Sequence, residues 1–266
     1  MRETREFILF ERKVILLNLF HVIFGRCCIL CGKTVDPRSA EICEECSRKI
    51  EKNHLVVPLW EHRDRVSVYY YGDPIRQGLH QFKYGGKREF GIHLGQKLAE
   101  RYRERKDVAH VITCVPRAKD GKARIYNQSA VIAKRMAKVL DLPFDPNLLA
   151  KRRGALTQPE CPTPLDREEN AKNAYYIGKS RRDLSELRVL LVDDLYTTGA
   201  TVRACGDLLQ ERGADEVLTY PAINDRATTD FPFVANYDQI HVHDEVPDPT
   251  KYRNQKYRKK TSITYF

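Results

Sequence analysis

The sequence predicts an α/β protein, a parallel sheet flanked by helices, with a small metal-bound module ahead of it. Three observations point there. Apolar runs that suit strands buried on both faces, Val108–Val115 and Val189–Val192, alternate with stretches of helical periodicity. Two Cys-x-x-Cys pairs stand close together near the beginning of the chain. The segment Val189–Thr201, VLLVDDLYTTGAT, runs from a buried strand through two acids into a short threonine and glycine loop.

The cysteine pairs come first in the chain. Cys28 and Cys31 are followed after eleven residues by Cys43 and Cys46. Each pair forms a tight knuckle that aims two thiolates at one point, and four thiolates complete the closed tetrahedral shell of a structural zinc. Disulfides would need an oxidising compartment, and no secretory signal is evident. The apolar stretch Val14–Phe24 is interrupted by Asn18 and His21 and is too short to span a bilayer, so it is expected as an amphipathic helix. Cys27 reads as a spare thiol, and Cys114, Cys161 and Cys205 as isolated ones.

Strands and helices then alternate. Val66–Tyr71 is expected as a strand, Ile75–Lys83 as a helix, and Phe90–Arg105 as a longer amphipathic helix. The strand Val108–Val115 stops at Pro116-Arg117, and a polar loop leads to a helix from about Asn127 to Leu140. Arg152–Asn173 carries three prolines and no sustained period, which reads as a mobile loop. The strand Val189–Val192 places Asp193 and Asp194 at its carboxyl end, where ligands of open α/β sheets are met. The helix Val202–Arg212 and the strand Glu216–Ala222 follow, in the order expected of a parallel sheet with right-handed crossovers. The expected division is 1–55 for the N-terminal helix and zinc ribbon, 56–225 for the α/β domain, and 226–266 for a C-terminal extension.

The loop after the acids carries chemistry. Uncapped N–H groups at a helix start form an anion site, and Thr197, Thr198, Gly199, Ala200 and Thr201 combine small side chains with hydroxyl donors. An ordinary strand–turn–helix would also show a threonine cap. No GK[ST] is present, so the loop is not a P-loop. At 266 residues and net charge +10, the chain suits phosphate-rich ligands, although surplus lysine and arginine also serve solubility. With no apparent transmembrane segment it reads as soluble and cytoplasmic.

The joint pattern of apolar strand, acidic pair, two variable residues (Leu195 and Tyr196) and hydroxyl-rich glycine loop resembles the motif by which type I phosphoribosyltransferases bind 5-phosphoribosyl diphosphate (PRPP). Tyr196 is bulkier than the aliphatic residue common there. The resemblance implies that Asp193 and Asp194 meet the ribose 2′- and 3′-hydroxyls, while Thr197 to Thr201 hold the 5′-phosphate. Further strings fall in the order of the ComF family: Phe82-Lys83-Tyr84-Gly85-Gly86-Lys87, Val115-Pro116-Arg117, Tyr126-Asn127-Gln128, and the stretch Leu149 to Asn173, all behind a four-cysteine ribbon. Arg124-Ile125-Tyr126 departs from the arginine, glycine and phenylalanine common before NQ in that family.

What the resemblance implies is a type I phosphoribosyltransferase fold and transfer with pyrophosphate release. Pro116 and Arg117 then belong to the loop that meets the pyrophosphate, with Mg²⁺ held by diphosphate and ribose oxygens. Arg117 as a solvated loop cation is the alternative. Lys83 and Lys87, beside the Gly-Gly turn, reach phosphates or lie on a solvated face. The stretch Arg152 to Asn173 corresponds to a catalytic hood, with Arg152, Arg153, Thr157, Gln158, Arg167 and Asn170 as its polar candidates. The last twenty residues carry six lysines and arginines interleaved with tyrosines, a pattern that suits single-stranded nucleic acid or a solvating tail. His241 and His243 lack a further ligand, and an edge strand is the better reading for their segment. The expected activity is PRPP-dependent transfer to an unidentified acceptor, associated by resemblance with DNA uptake and its proteins. A non-catalytic PRPP or nucleotide sensor and a zinc-ribbon adaptor for single-stranded DNA are the alternatives.

Overall fold

A computed structural model describes residues 26–36, 40–59, 61–62, 64–117, 126–152, 170 and 173–225. Several expectations lie outside the described residues: the helix Val14–Phe24, the loop Ala118–Ile125, the hood candidates Arg153, Thr157, Gln158 and Arg167, Cys161, and everything beyond Asp225, including His241, His243 and the basic tail.

The chain begins with a small antiparallel ribbon, β1 (Arg26–Cys27) and β2 (Thr34–Val35), followed by helix α1 (Glu44–Lys52). Cys43 caps α1 and buried Cys46 lies in its first turn. The main sheet has four strands in the order β3-β8-β7-β4, with β3 Tyr69–Tyr70, β4 Val111–Cys114, β7 Arg188–Tyr196 and β8 Glu216–Asn224. Every neighbouring pair in it is parallel. Helices α2 (Ile75–Tyr84), α3 (Glu89–Arg105), α4 (Gln128–Leu140) and α5 (Ala200–Glu211) connect the strands.

The apolar run of β7 fits its place. Val189 to Val192 pair with Val111 to Cys114 on one side and with Val217 to Tyr220 on the other, and all four are fully buried. Alternate side chains enter opposite cores. Leu190 and Val192 pack with Leu94, Leu98, Ile132 and Met136 of α3 and α4, whereas Val189 and Leu191 pack with Val202, Cys205 and Leu209 of α5. Burial on both faces is what removes any polar position from the run.

Two expectations on elements are revised. The strand does not end before the acids: β7 continues through Asp193 and Asp194 to Tyr196, because β8 keeps pairing with it, Leu195 opposite Ile223 and Tyr196 opposite Asn224. Only on the β4 side does the ladder stop at Val192. The acids therefore sit where one neighbour has ended and the other has not. The stretch Leu149 to Asn173 also begins in regular structure. Leu149–Lys151 forms β5, antiparallel to β6 (Tyr175–Ile177), so the residues between them are carried on a short two-stranded base.

The cysteine ribbon shares a core with the helices. Cys28, Leu30, Cys46 and Ile50 belong to the same buried cluster as Leu79, Phe82 and Phe90. A Cβ on Gly78 would lie 2.5 Å from a methyl of Leu30, so the glycine is the condition for that approach. A polar link runs alongside: buried His93 of α3 lies 3.0 Å from the Tyr69 hydroxyl through Nε2 and 3.0 Å from Glu41 of the ribbon through Nδ1.

Candidate functional site

The carboxyl edge of the sheet gathers residues from β7, α2, α4 and the loop before α5. Asp193 is buried, and its Oδ1 accepts the Ser129 hydroxyl of α4 at 2.9 Å and the Asp194 N–H at 2.8 Å. Burial, reinforced by the neighbouring Asp194 charge, pushes the Asp193 carboxyl up to about 7 against the pull of those two donors and of Lys83. Asp194 takes a different partner. Its Oδ2 lies 3.0 Å from the Lys83 ammonium, and both side chains are about six-sevenths covered, at 14% and 15% exposure. The two adjacent acids are thus differentiated, one held by neutral donors and one by a cation.

Thr197 to Thr201 wrap into the start of α5. Gly199, with φ of 78°, turns the chain left-handed as the cap of that helix. A Cβ there would run into the Tyr196 hydroxyl and the Arg203 guanidinium, so no other residue is accommodated without a shift. Arg203 donates to the Thr198 carbonyl at 2.8 Å and closes the loop from outside. Thr201 is buried and hydrogen-bonds Tyr175 of β6. Tyr196 is buried beneath the loop, where the Arg65 guanidinium lies 4.1 Å from its ring centroid. Its bulk serves packing, and Leu195 likewise rests against the α3–α4 core.

Val115 donates to the Val192 carbonyl at 2.9 Å, so Pro116 and Arg117 leave the sheet directly beside the acids. The Arg117 guanidinium donates to the Tyr126 carbonyl at 3.3 Å, and Asn127 donates to the Val115 carbonyl at 3.0 Å, fastening both ends of the intervening loop. The Tyr126 hydroxyl donates to the Phe82 carbonyl at 2.7 Å, which ties the YNQ string to the FKYGGK string. Arg152 stands apart: it donates to the Asn173 carbonyl at 3.1 Å and lies over the Tyr176 ring, on the strand base that flanks the hood segment. Asn170 is half-buried near that base.

Three contributors escaped the sequence reading. Ser129 follows NQ with no local sign that it reaches Asp193. Arg65 precedes β3 in a stretch without periodicity. For Lys83 the reading left a phosphate contact and a solvated face open, and the structure gives it to Asp194. Only tertiary folding brings these residues to the acids. Lys87, by contrast, is exposed.

The metal centre is built as expected. The sulfurs of Cys28, Cys31, Cys43 and Cys46 lie within 4.8 Å of one another, and those of Cys31 and Cys43 are 3.7 Å apart. Four thiolates about 2.3 Å from one zinc stand about 3.8 Å from each other, so the cluster fits a tetrahedral Zn²⁺. The Cys43 N–H points at the Cys28 sulfur from 3.4 Å. No helix among the described residues is long and apolar enough to cross a membrane.

Comparison with known proteins agrees with this geometry. The family described as the phosphoribosyl transferase domain matches residues 125–251. "Competence protein F" of Haemophilus influenzae is 32% identical over 97 residues, 36% of this chain and 42% of that protein, so the match spans less than half of that relative's length. "Competence protein ComFC" of Bacillus subtilis is 26% identical over 72% of this chain and 74% of its own. "DNA utilization protein YhgH" of Salmonella typhimurium is 27% identical over 73% of this chain and 88% of its own. With its domain match, these relatives, its parallel sheet and its four-cysteine cluster, the chain belongs to the ComF-type proteins, a type I phosphoribosyltransferase domain behind a cysteine module.

Proposed function

We propose that this protein binds PRPP at the carboxyl edge of its sheet and transfers the phosphoribosyl group to an acceptor with release of pyrophosphate. The observation that carries this reading is the continuity of β7 and its loop: Asp193 and Asp194 side by side, then a left-handed Gly199 that opens α5 towards the same edge. In this reading the two carboxylates accept from the ribose hydroxyls, and the N–H groups and hydroxyls of Thr197 to Thr201 take the 5′-phosphate. Arg117 leaves β4 beside the acids, where a guanidinium offsets the charge growing on departing pyrophosphate. The paired carboxylates also suit a hard cation, and Mg²⁺ bound with PRPP supplies further neutralisation of the leaving group. Arg152, Arg153, Gln158, Arg167 and Asn170, on a segment rooted in β5 and β6, are assigned to closing over the ligand and excluding water.

A role in DNA uptake and cytoplasmic location rest on the names of the competence relatives. Titration of the zinc-loaded protein with PRPP by calorimetry, with and without Mg²⁺, tests the reading. Magnesium-dependent binding that is lost in the Asp193→Asn/Asp194→Asn double variant supports it. No binding by the folded wild type sinks it and leaves the single-stranded DNA adaptor, whose binding would weaken steeply with salt and ignore Asp193→Asn.

A further inference from the structure

Beside the acids lies a hollow of about 440 Å³, in the size range of small-molecule sites, that the roles above do not use. Its walls include Tyr71, Arg76, His80, Lys83, Tyr84 and Leu195. Two of these join it to the site, since Leu195 follows the acidic pair on β7 and Lys83 holds Asp194. The lining is rich in rings. Tyr84 is 52% exposed and Tyr71 36% exposed, and the His80 and Tyr84 rings stand 5.0 Å apart. Its charges are largely occupied, for Arg76 is bound by both oxygens of Asp73 and Lys83 by Asp194. Exposed aromatic faces without an uncommitted charge suit a flat, uncharged ring.

Position matters as much as lining. In the order β3-β8-β7-β4, Arg117 leaves the sheet on the β4 side of β7, while Tyr71 leaves it at the end of β3, on the opposite side. Displacement at the ribose C1 carbon needs the incoming atom and the departing pyrophosphate on opposite sides, and an acceptor held in this hollow meets that requirement.

We propose that the hollow is the acceptor subsite and that it takes a planar nitrogen heterocycle of the nucleobase class. The inference rests on the PRPP reading above. A ring nitrogen lone pair forms the bond to C1, the C1–O bond breaks with both electrons leaving on pyrophosphate, and the ring N–H proton passes to water at the open mouth of the hollow.

The test uses the full chain loaded with zinc, PRPP and Mg²⁺, with adenine, hypoxanthine, guanine and uracil as probes. Ligand-observed NMR reads binding, and pyrophosphate release reads transfer. The expected result is that at least one base binds and accelerates release, and that Tyr84→Ala and Tyr71→Ala each weaken this base by about tenfold or more while leaving PRPP affinity unchanged. Because Tyr84 is half exposed, its truncation leaves the fold intact. If PRPP binds and none of the four bases does, the acceptor proposal is overturned and the PRPP reading stands. If a base binds equally well to both tyrosine variants, its site lies elsewhere and the proposal fails. If PRPP itself does not bind, the underlying reading fails and the proposal with it.

Discussion

Lys83 of α2 holds its ammonium 3.0 Å from Asp194 of β7, and so the FKYGGK string and the acidic pair, far apart in the chain, form one site. Removing the lysine leaves a largely covered carboxylate without its cation. Lys83→Ala is expected to cost about 2 kcal/mol, between the values for exposed and fully buried pairs. Urea denaturation at neutral pH measures it. A change within experimental error would show that water satisfies Asp194 as well as the lysine does.

Asp193 gives the protein a pH dependence of defined sign. Its carboxyl is raised to about 7, so from ordinary carboxylate values up to that pH the folded chain holds a proton that the unfolded chain has released. This contribution to stability is full at acid pH and is lost as pH rises through the window. Asp193→Asn keeps a partner for Ser129 and removes the titration, so the difference in stability between variant and wild type should move in the variant's favour from pH 5 to pH 8, over roughly the span separating the two states. PRPP affinity of the wild type should rise across the same window as the carboxylate forms. A difference in stability that is flat with pH would assign the dependence to another group.

Gly199 is expected to tolerate no side chain. At φ of 78° an alanine costs roughly 1–2 kcal/mol of backbone strain, before any contact with Tyr196 and Arg203. Gly199→Ala should therefore lower the melting temperature and weaken PRPP binding, whereas Arg203→Lys should weaken binding less. Equal PRPP affinity in Gly199→Ala and wild type would remove the loop from the site.

The cysteine cluster predicts one zinc per chain by elemental analysis. Cys46→Ala, which takes away a buried ligand at the start of α1, is expected to release the metal and lower the melting temperature by about 10 °C, roughly 4 kcal/mol in a chain of this size. Zinc content that survives this change would mean that the remaining three sulfurs suffice.

Some of this was legible in the sequence for simple physical reasons. A strand buried on both faces has to be apolar throughout, so Val189–Val192 declares itself, and Cys28, Cys31, Cys43 and Cys46 carry their geometry in their spacing. The end of β7 was not legible, since carboxylates look like a strand's end and only the partner β8 shows that pairing continues to Tyr196. Strands β5 and β6 have three residues each, too few to set a period against the prolines between them. Ser129 and Lys83 reach the acids across long stretches of chain, and no local pattern records such contacts.

The close approach of Gly78 to Leu30 has a consequence for how this protein varies. Positions 30 and 78 share one small volume, one on the cysteine ribbon and the other on the helix that delivers Lys83. A larger residue at 78 calls for a smaller one at 30, so Gly78→Ala and Leu30→Val, each harmful alone, are expected to compensate in the double variant. Change in the cysteine module and change near the acids are then inherited together, through two apolar positions that touch neither the metal nor the ligand.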